Sequence, residues 1–223
     1  MSEVAALLGL LVWGTIAGVD LVSFPQAMLG RPLVAATVTG LLLGDVELGL
    51  RVGILLECFA LDVLPVGASR YPDYGPAAVS AVFAAQLLPA QEMIGGAVLL
   101  GLIVAVIGGK GMELQRRFNG RMANRAAAAV GGGDPAMLAR LQSLGMLADC
   151  ARSILVTTIG LLLATLLVPV VAAIEAEETL ALVAVAGALM AALSGALRRA
   201  ATGVPRLLLT AGLAVGGVLA WLT

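Results

Sequence analysis

The chain has 223 residues, 61% of them apolar and 12% charged, with a net charge of −1 and a mean hydropathy of +1.06. A soluble globular domain carries about twice that charged share, so the composition excludes the soluble class, and a charge so close to zero offers nothing to nucleic acid. What remains is an all-α polytopic membrane protein, a single multi-helix bundle over residues 1–223, with room for roughly six to eight crossing or re-entrant pieces at ~20 residues each.

The first apolar segment runs from Val4 to about Phe24. Glu3 at its start and the lack of a basic leader region make it a retained membrane segment, not a signal peptide. Asp20 lies near its end, either turned to the bundle interior or held at the membrane boundary. The loop-like Phe24-Pro25-Gln26 then leads to Arg31-Pro32.

Between Pro32 and Pro65 the apolar runs are cut by Gly40, Gly44, Asp45, Gly49 and Gly53, so neither piece reaches the ~20 residues of an ordinary spanning helix. Short broken or re-entrant helices are therefore expected near Arg31–Asp73. They free backbone groups and helix ends to meet a polar substrate, and they stand only where protein or a water-filled cavity covers them. Asp45 is expected to cap the second piece, with Glu47 in its first turn and Arg51, four residues on, as an ion-pair partner. Gly49, Gly53 and Glu57 follow at four-residue spacing and share one helical face. The two glycines let another backbone approach and are expected to line a cavity that presents the Glu57 carboxylate. An ionisable group in such a segment is a functional candidate by default.

After Pro65 the run VGASRYPDYGP is turn chemistry, and Asp73 within it either caps the next helix or faces a cavity. Gly75–Leu88 and Met93–Gly109 read as a helical hairpin split by Pro89-Ala90-Gln91-Glu92. Residues 1–109 thus form a glycine-broken substrate-site half. Residues 110–145 change character to an amphipathic loop, with Lys110, Arg116, Arg117, Arg121 and Arg125 close together and a Gly131-Gly132-Gly133 break before the Asp134-Pro135 helix start. The three glycines lack the strand and lysine of a phosphate loop.

Residues 146–223 hold three spanning segments: Met146–Ile174, Thr179–Leu197 and Val204–Leu222. Asp149 and Arg152, three apart on a helix, are expected to form an internal ion pair near a membrane boundary. The basic cluster places the 110–145 loop in the cytoplasm, and Glu175, Glu177 and Glu178 on the opposite side. Cys58 and Cys150 have neither metal nor redox spacing and read as core. There is no histidine, the usual acceptor in a histidine-phosphorylating relay. No catalytic residue, metal site or cofactor is expected.

The series Ala17-Gly18, Gln26, Arg31-Pro32-Leu33, Gly40, Leu43-Gly44-Asp45, Gly49, Gly53, Glu57, Ala60-Leu61, Gly67-Ala68 and Pro72-Asp73 resembles the IIC membrane channel subunit of mannose/fructose/sorbose-family sugar phosphotransferase systems. Beyond Ser80 the resemblance thins to hydropathy, with Arg152 and Arg199 as single matches. It implies a multi-pass protein of the bacterial inner membrane that binds a hexose-type sugar and works with a IID membrane subunit. Soluble IIA and IIB phosphocarriers would then phosphorylate the sugar, so this chain needs no phosphorylated residue of its own. A homo-oligomer stays open. Carboxylates and amides suit sugar hydroxyls, which makes Glu57, Asp73 and Gln26 the sugar-contact candidates.

Two departures stand out: the chain is shorter than expected, ending one apolar segment early, and Asp62 replaces a usual glycine. Two other classes compete. In one, a stand-alone secondary transporter carries its coupling proton on Glu57. In the other, an intramembrane enzyme pairs Glu57 with Asp62 or Asp73, although five residues turn a helix by about 140° and keep the first pair apart.

Overall fold

The computed structural model describes residues 3–61, 70–88, 94–172 and 177–199 together with Ala211. Its elements are α1 (Glu3–Asp20), α2 (Pro32–Leu43), α3 (Val46–Ala60), α4 (Tyr74–Leu87), α5 (Ile94–Arg125), α6 (Ala127–Gly131), α7 (Pro135–Ala172) and α8 (Glu177–Arg199). Every regular element among the described residues is helical, as the sequence predicts. The expectations for Asp62, Pro65 and Glu175, and all of Val204–Leu222 except Ala211, lie outside the described residues.

The helices α1, α5 and α7 are long and apolar enough to cross a membrane. At 1.5 Å per residue, the 32 residues of α5 and 38 of α7 reach about 48 and 57 Å, well past a hydrocarbon core of about 30 Å. Their basic ends therefore continue beyond the apolar layer as helix. Most of the 110–145 stretch is this continuation, α5 to Arg125 and α7 from Pro135, and the non-helical break is confined to the neighbourhood of α6. Asp134 caps α7, its Oδ1 accepting the Ala136 and Met137 N–H groups at 2.9 and 3.3 Å.

The broken stretch forms a tight hairpin. α2 and α3 have only 12 and 15 residues, about 18 and 22 Å, and neither crosses a bilayer alone. Gly44 turns the chain at φ 85°, where only glycine sits without cost, and its N–H closes onto Gly40 and Leu41 carbonyls. Asp45 then caps α3 by accepting the Leu48 N–H at 2.9 Å, and Glu47 pairs with Arg51, both as expected. The two helices meet backbone to backbone. A Cβ on Gly49 would lie 2.5 Å from the Ala36 carbonyl oxygen, and one on Gly53 would press on Leu33 and Ala36. Gly49 and Gly53 thus belong to the α2–α3 seam; the space predicted for a cavity on this face is filled by α2.

At the centre stands α4, apolar on every side and buried along nearly its whole length. Its alanines and Ser80 let α1, α2, α3, α5 and α7 close around it. The outer faces of α1, α7 and α8 expose Leu8, Val12, Leu155, Leu166, Leu182 and Met190. Such a surface is stable against lipid. Cys58 and Cys150, read as core, are both partly buried. They lie on the helix flanks, where an apolar solvent and an apolar interior are equally acceptable to a thiol.

Candidate functional site

Two arginine–carboxylate centres organise the polar interior. The first lies at the mouth of the α2–α3 hairpin. Arg31, in extended conformation, precedes Pro32 at the start of α2, whose first N–H groups have no partners within the helix. Glu57, near the end of α3, supplies one from outside: its Oε2 accepts the Leu33 N–H at 3.1 Å and its Oε1 is paired with the Arg31 guanidinium. The helix dipole and the arginine together offset the carboxylate's negative charge at the end of an apolar hairpin. The pair is not sealed, with 38% of the Arg31 side chain and 17% of Glu57 exposed. Beside it is a small cleft of about 60 Å³ lined by Arg31, Pro32, Tyr71 and Tyr74 among others.

The loop that carries Arg31 is pinned by Asp20. This side chain is buried and accepts the Ala27 and Gly30 N–H groups at 2.7 and 3.0 Å, which decides for the interior between the two positions open to it. Gln26 lies on the outside of that loop, at φ 59° and with its amide near the Val22 carbonyl at 3.4 Å.

The second centre is built on a buried arginine. Arg152 of α7 binds Asp149 one turn back at 2.8 Å, as the spacing predicts, and also Asp73 at the entry to α4. Its Nε donates to Gln115 of α5 at 2.9 Å and its Nη2 to the Gly18 carbonyl of α1 at 3.0 Å. Ser23 donates to the other oxygen of Asp149. One planar guanidinium thereby ties α1, α5, α7 and the start of α4 together, a use for which lysine has neither the fork nor the donors. Asp73 has no exposed surface; α5 presses Gly108 against it so closely that a Cβ there would come within 2.6 Å. Its carboxylate faces Arg152, not a cavity.

The three predicted sugar contacts are thus not brought together: Glu57 is held by Arg31, Asp73 by Arg152, and Gln26 is on the loop surface. Since the two acids sit on different arginines, they do not form the acid/base pair that an intramembrane enzyme would need. Sequence reasoning missed Arg31 as the partner of Glu57, and it missed Ser23 and Gln115. The signal for Gln115 was available, because Gln115 and Asn119 are four apart on α5, but the segment was read by its charges. Among the described residues no group of three or more His, Cys, Asp or Glu side chains could hold a metal ion.

Long apolar helices around a short broken hairpin, with carboxylates paired to arginines, are the architecture of a polytopic membrane protein. The chain belongs to the family described as the PTS system sorbose-specific IIC component, whose profile matches residues 4–199. The sorbose-specific EIIC component of Klebsiella pneumoniae is 33% identical over 102 residues, 46% of this chain and 37% of that protein. The mannose-specific EIIC component of Escherichia coli is 35% identical over 79 residues, 35% of this chain and 29% of its own. The fructose permease IIC component of Bacillus subtilis is 33% identical over 108 residues, 48% and 39%. These alignments span well under half of each curated relative. Among solved structures, a chain described only as a membrane protein aligns at a TM-score of 0.61 and 21% identity over 100% of this chain and 97% of its own. A chain of the mannose transporter ManYZ, imaged by cryo-electron microscopy with a microcin, gives 0.59 and 20% over 99% and 88%. At this identity the two establish the fold. The resemblance seen in the N-terminal third is borne out and extends past Ser80. Components of this family work with other subunits of the phosphotransferase system.

Proposed function

We propose that this chain is the sugar-translocating subunit of a phosphoenolpyruvate-dependent phosphotransferase system in a bacterial inner membrane. It binds a hexose-type sugar and presents it to soluble IIA and IIB phosphocarriers, with a IID subunit beside it in the bilayer. The observation that carries this reading is the family match over residues 4–199. Sorbose, mannose and fructose, the sugars in the relatives' names, are the first substrates to try.

The geometry supports Glu57 and Arg31 as the sugar-binding pair. A carboxylate that accepts and a guanidinium that donates can both grip vicinal hydroxyls, and both keep exposed surface. Tyr74 in the adjoining cleft offers its ring to the apolar side of a sugar, while Tyr71 beside it is stacked on Arg116. Gln26 is close in sequence to this rim and is the second proposed contact; Asp73 supports the bundle from within. A chain without histidine leaves phosphoryl transfer to its partners.

The test is co-expression with IIA, IIB and IID subunits in cells lacking any mannose-class system. Phosphorylated sugar should accumulate only with all four chains present, and Glu57→Ala should abolish it. Accumulation of unphosphorylated sugar by this chain alone would overturn the proposal in favour of a secondary transporter.

A further inference from the structure

A second cavity, about 500 Å³ in volume, lies where α5 and α7 leave the apolar part of the bundle, under the loop at Ser23 and Phe24. Its size is that of a small-molecule pocket. It shares no lining residue with the cleft beside Glu57, and nothing in the binding role proposed for Glu57 uses it.

The lining is chemically selective. Gln115, Asn119 and Gln142 bring three amides and Ser23 a hydroxyl, and among the described residues no carboxylate borders the space. Gln115 spends its Oε1 on Arg152, which leaves its NH₂ group as a donor. Ser23 spends its proton on Asp149, which leaves its oxygen as an acceptor. Asn119 Oδ1 has no hydrogen-bond donor among the described protein groups, so it is an acceptor left for whatever enters the cavity. Arg116 also lines the space, its guanidinium stacked on the Tyr71 ring at 4.8 Å. Phe24 adds an exposed aromatic face.

Amides that donate and accept, a buried acceptor without a protein donor, an aromatic face and the lack of a lining carboxylate suit a ring bearing several hydroxyls. We infer that this cavity binds a neutral polyhydroxylated ring, as a second sugar site separate from the one at Glu57. That the ring is the transported sugar rests on the function proposed above; the polyol chemistry does not. The site also touches the buried arginine centre through Gln115 and Ser23, so occupancy and bundle packing share two side chains.

The experiment uses the full chain in lipid nanodiscs with Cys58 and Cys150 replaced by alanine. A single cysteine is placed at Ala123, which lines the cavity, or at exposed Ala128, which does not. Maleimide labelling is timed with and without sorbose, mannose, fructose and a hexose 6-phosphate. A neutral sugar should slow labelling at Ala123→Cys and leave Ala128→Cys unchanged. Adding Asn119→Leu or Gln142→Leu should raise the half-protecting concentration about threefold to tenfold, the equivalent of one neutral hydrogen bond. Adding Glu57→Ala should leave protection in place even if that variant no longer transports. Absence of protection by every neutral sugar, protection by the phosphate ester alone, or protection indifferent to Asn119→Leu would each overturn the inference. Protection lost with Glu57→Ala yet kept in Asn119→Leu would mean an effect transmitted from the first site, and would likewise overturn it.

Discussion

Arg152 is bonded to Asp73, which lies 79 residues earlier in the chain, and the pair is buried so deeply that the arginine side chain keeps 6% of its surface and the aspartate side chain none. Removing the arginine strands Asp73 and Asp149 together inside the bundle. Breaking a buried pair in this way costs about 3–5 kcal/mol, so we expect Arg152→Met to cut the amount of folded protein in the membrane and lower its detergent melting temperature. Arg152→Lys should restore little, because one ammonium cannot reach Asp73, Asp149 and Gln115 at once. Adding Asp73→Asn to Arg152→Met should recover part of the loss. Full stability of Arg152→Met alone would show that the centre is dispensable.

Glu57 should behave differently, because its ion pair is partly open. Loss of a charge-assisted hydrogen bond to sugar costs about 1.5–3 kcal/mol, or roughly ten- to a hundredfold in affinity. Glu57→Ala should show that loss in full and Glu57→Gln less of it, while both reach the membrane in near-normal amounts. Equilibrium sugar binding and membrane abundance, measured side by side, check this. Normal affinity with low abundance would reduce Glu57 to a partner for Arg31 and the α2 N-terminus.

The α2–α3 seam makes a packing prediction. Gly49→Val forces branched carbons into a gap where even a bare Cβ would stand 2.5 Å from the Ala36 carbonyl oxygen, and overpacking of this kind costs about 1–3 kcal/mol. Gly9→Val, where an added Cβ meets nothing within 4 Å, is the matched control and should leave the melting temperature without that loss. Equal behaviour of the two would mean that the helices separate easily.

Orientation is open to a labelling test. The positive-inside rule puts the Lys110–Arg125 end of α5 in the cytoplasm, and one passage of α7 then puts the start of α8 outside. Cysteines at Ala128 and Thr179 should therefore react with an impermeant maleimide from opposite sides of intact cells. Labelling of both from one side would refute this arrangement.

Phosphate should never become attached to this chain. It has no histidine, and a charged phosphothiol at Cys58 or Cys150 would be partly buried within an apolar segment, where desolvation is costly. Incubation with labelled phosphoenolpyruvate and the soluble carriers should mark the carriers only.

Local chemistry was legible without coordinates wherever its partners lie within a turn or two. The shortness of α2 and α3 follows from their glycines, and the caps at Asp45 and Asp134 from side chains that reach N–H groups two or three residues on. The Glu47–Arg51 and Asp149–Arg152 pairs follow from helical spacing. The family was legible from a fixed series of such residues. Charge counting failed between Lys110 and Gly145, where composition looked like a loop and the backbone stayed helical, because solvated charges are as compatible with a helix end as with a coil.

The sequence by itself determined that this is a helical membrane protein and that its central hairpin is broken and short, since apolar run length, glycine and capping residues act within a few positions of one another. Only the tertiary structure decided what each intramembrane charge does. Glu57 meets Arg31 across 26 residues and Arg152 meets Asp73 across 79, and no spacing rule reaches that far. In an interior of low dielectric a carboxylate must find a cation or a donor, and which one it finds is set by the way the helices pack.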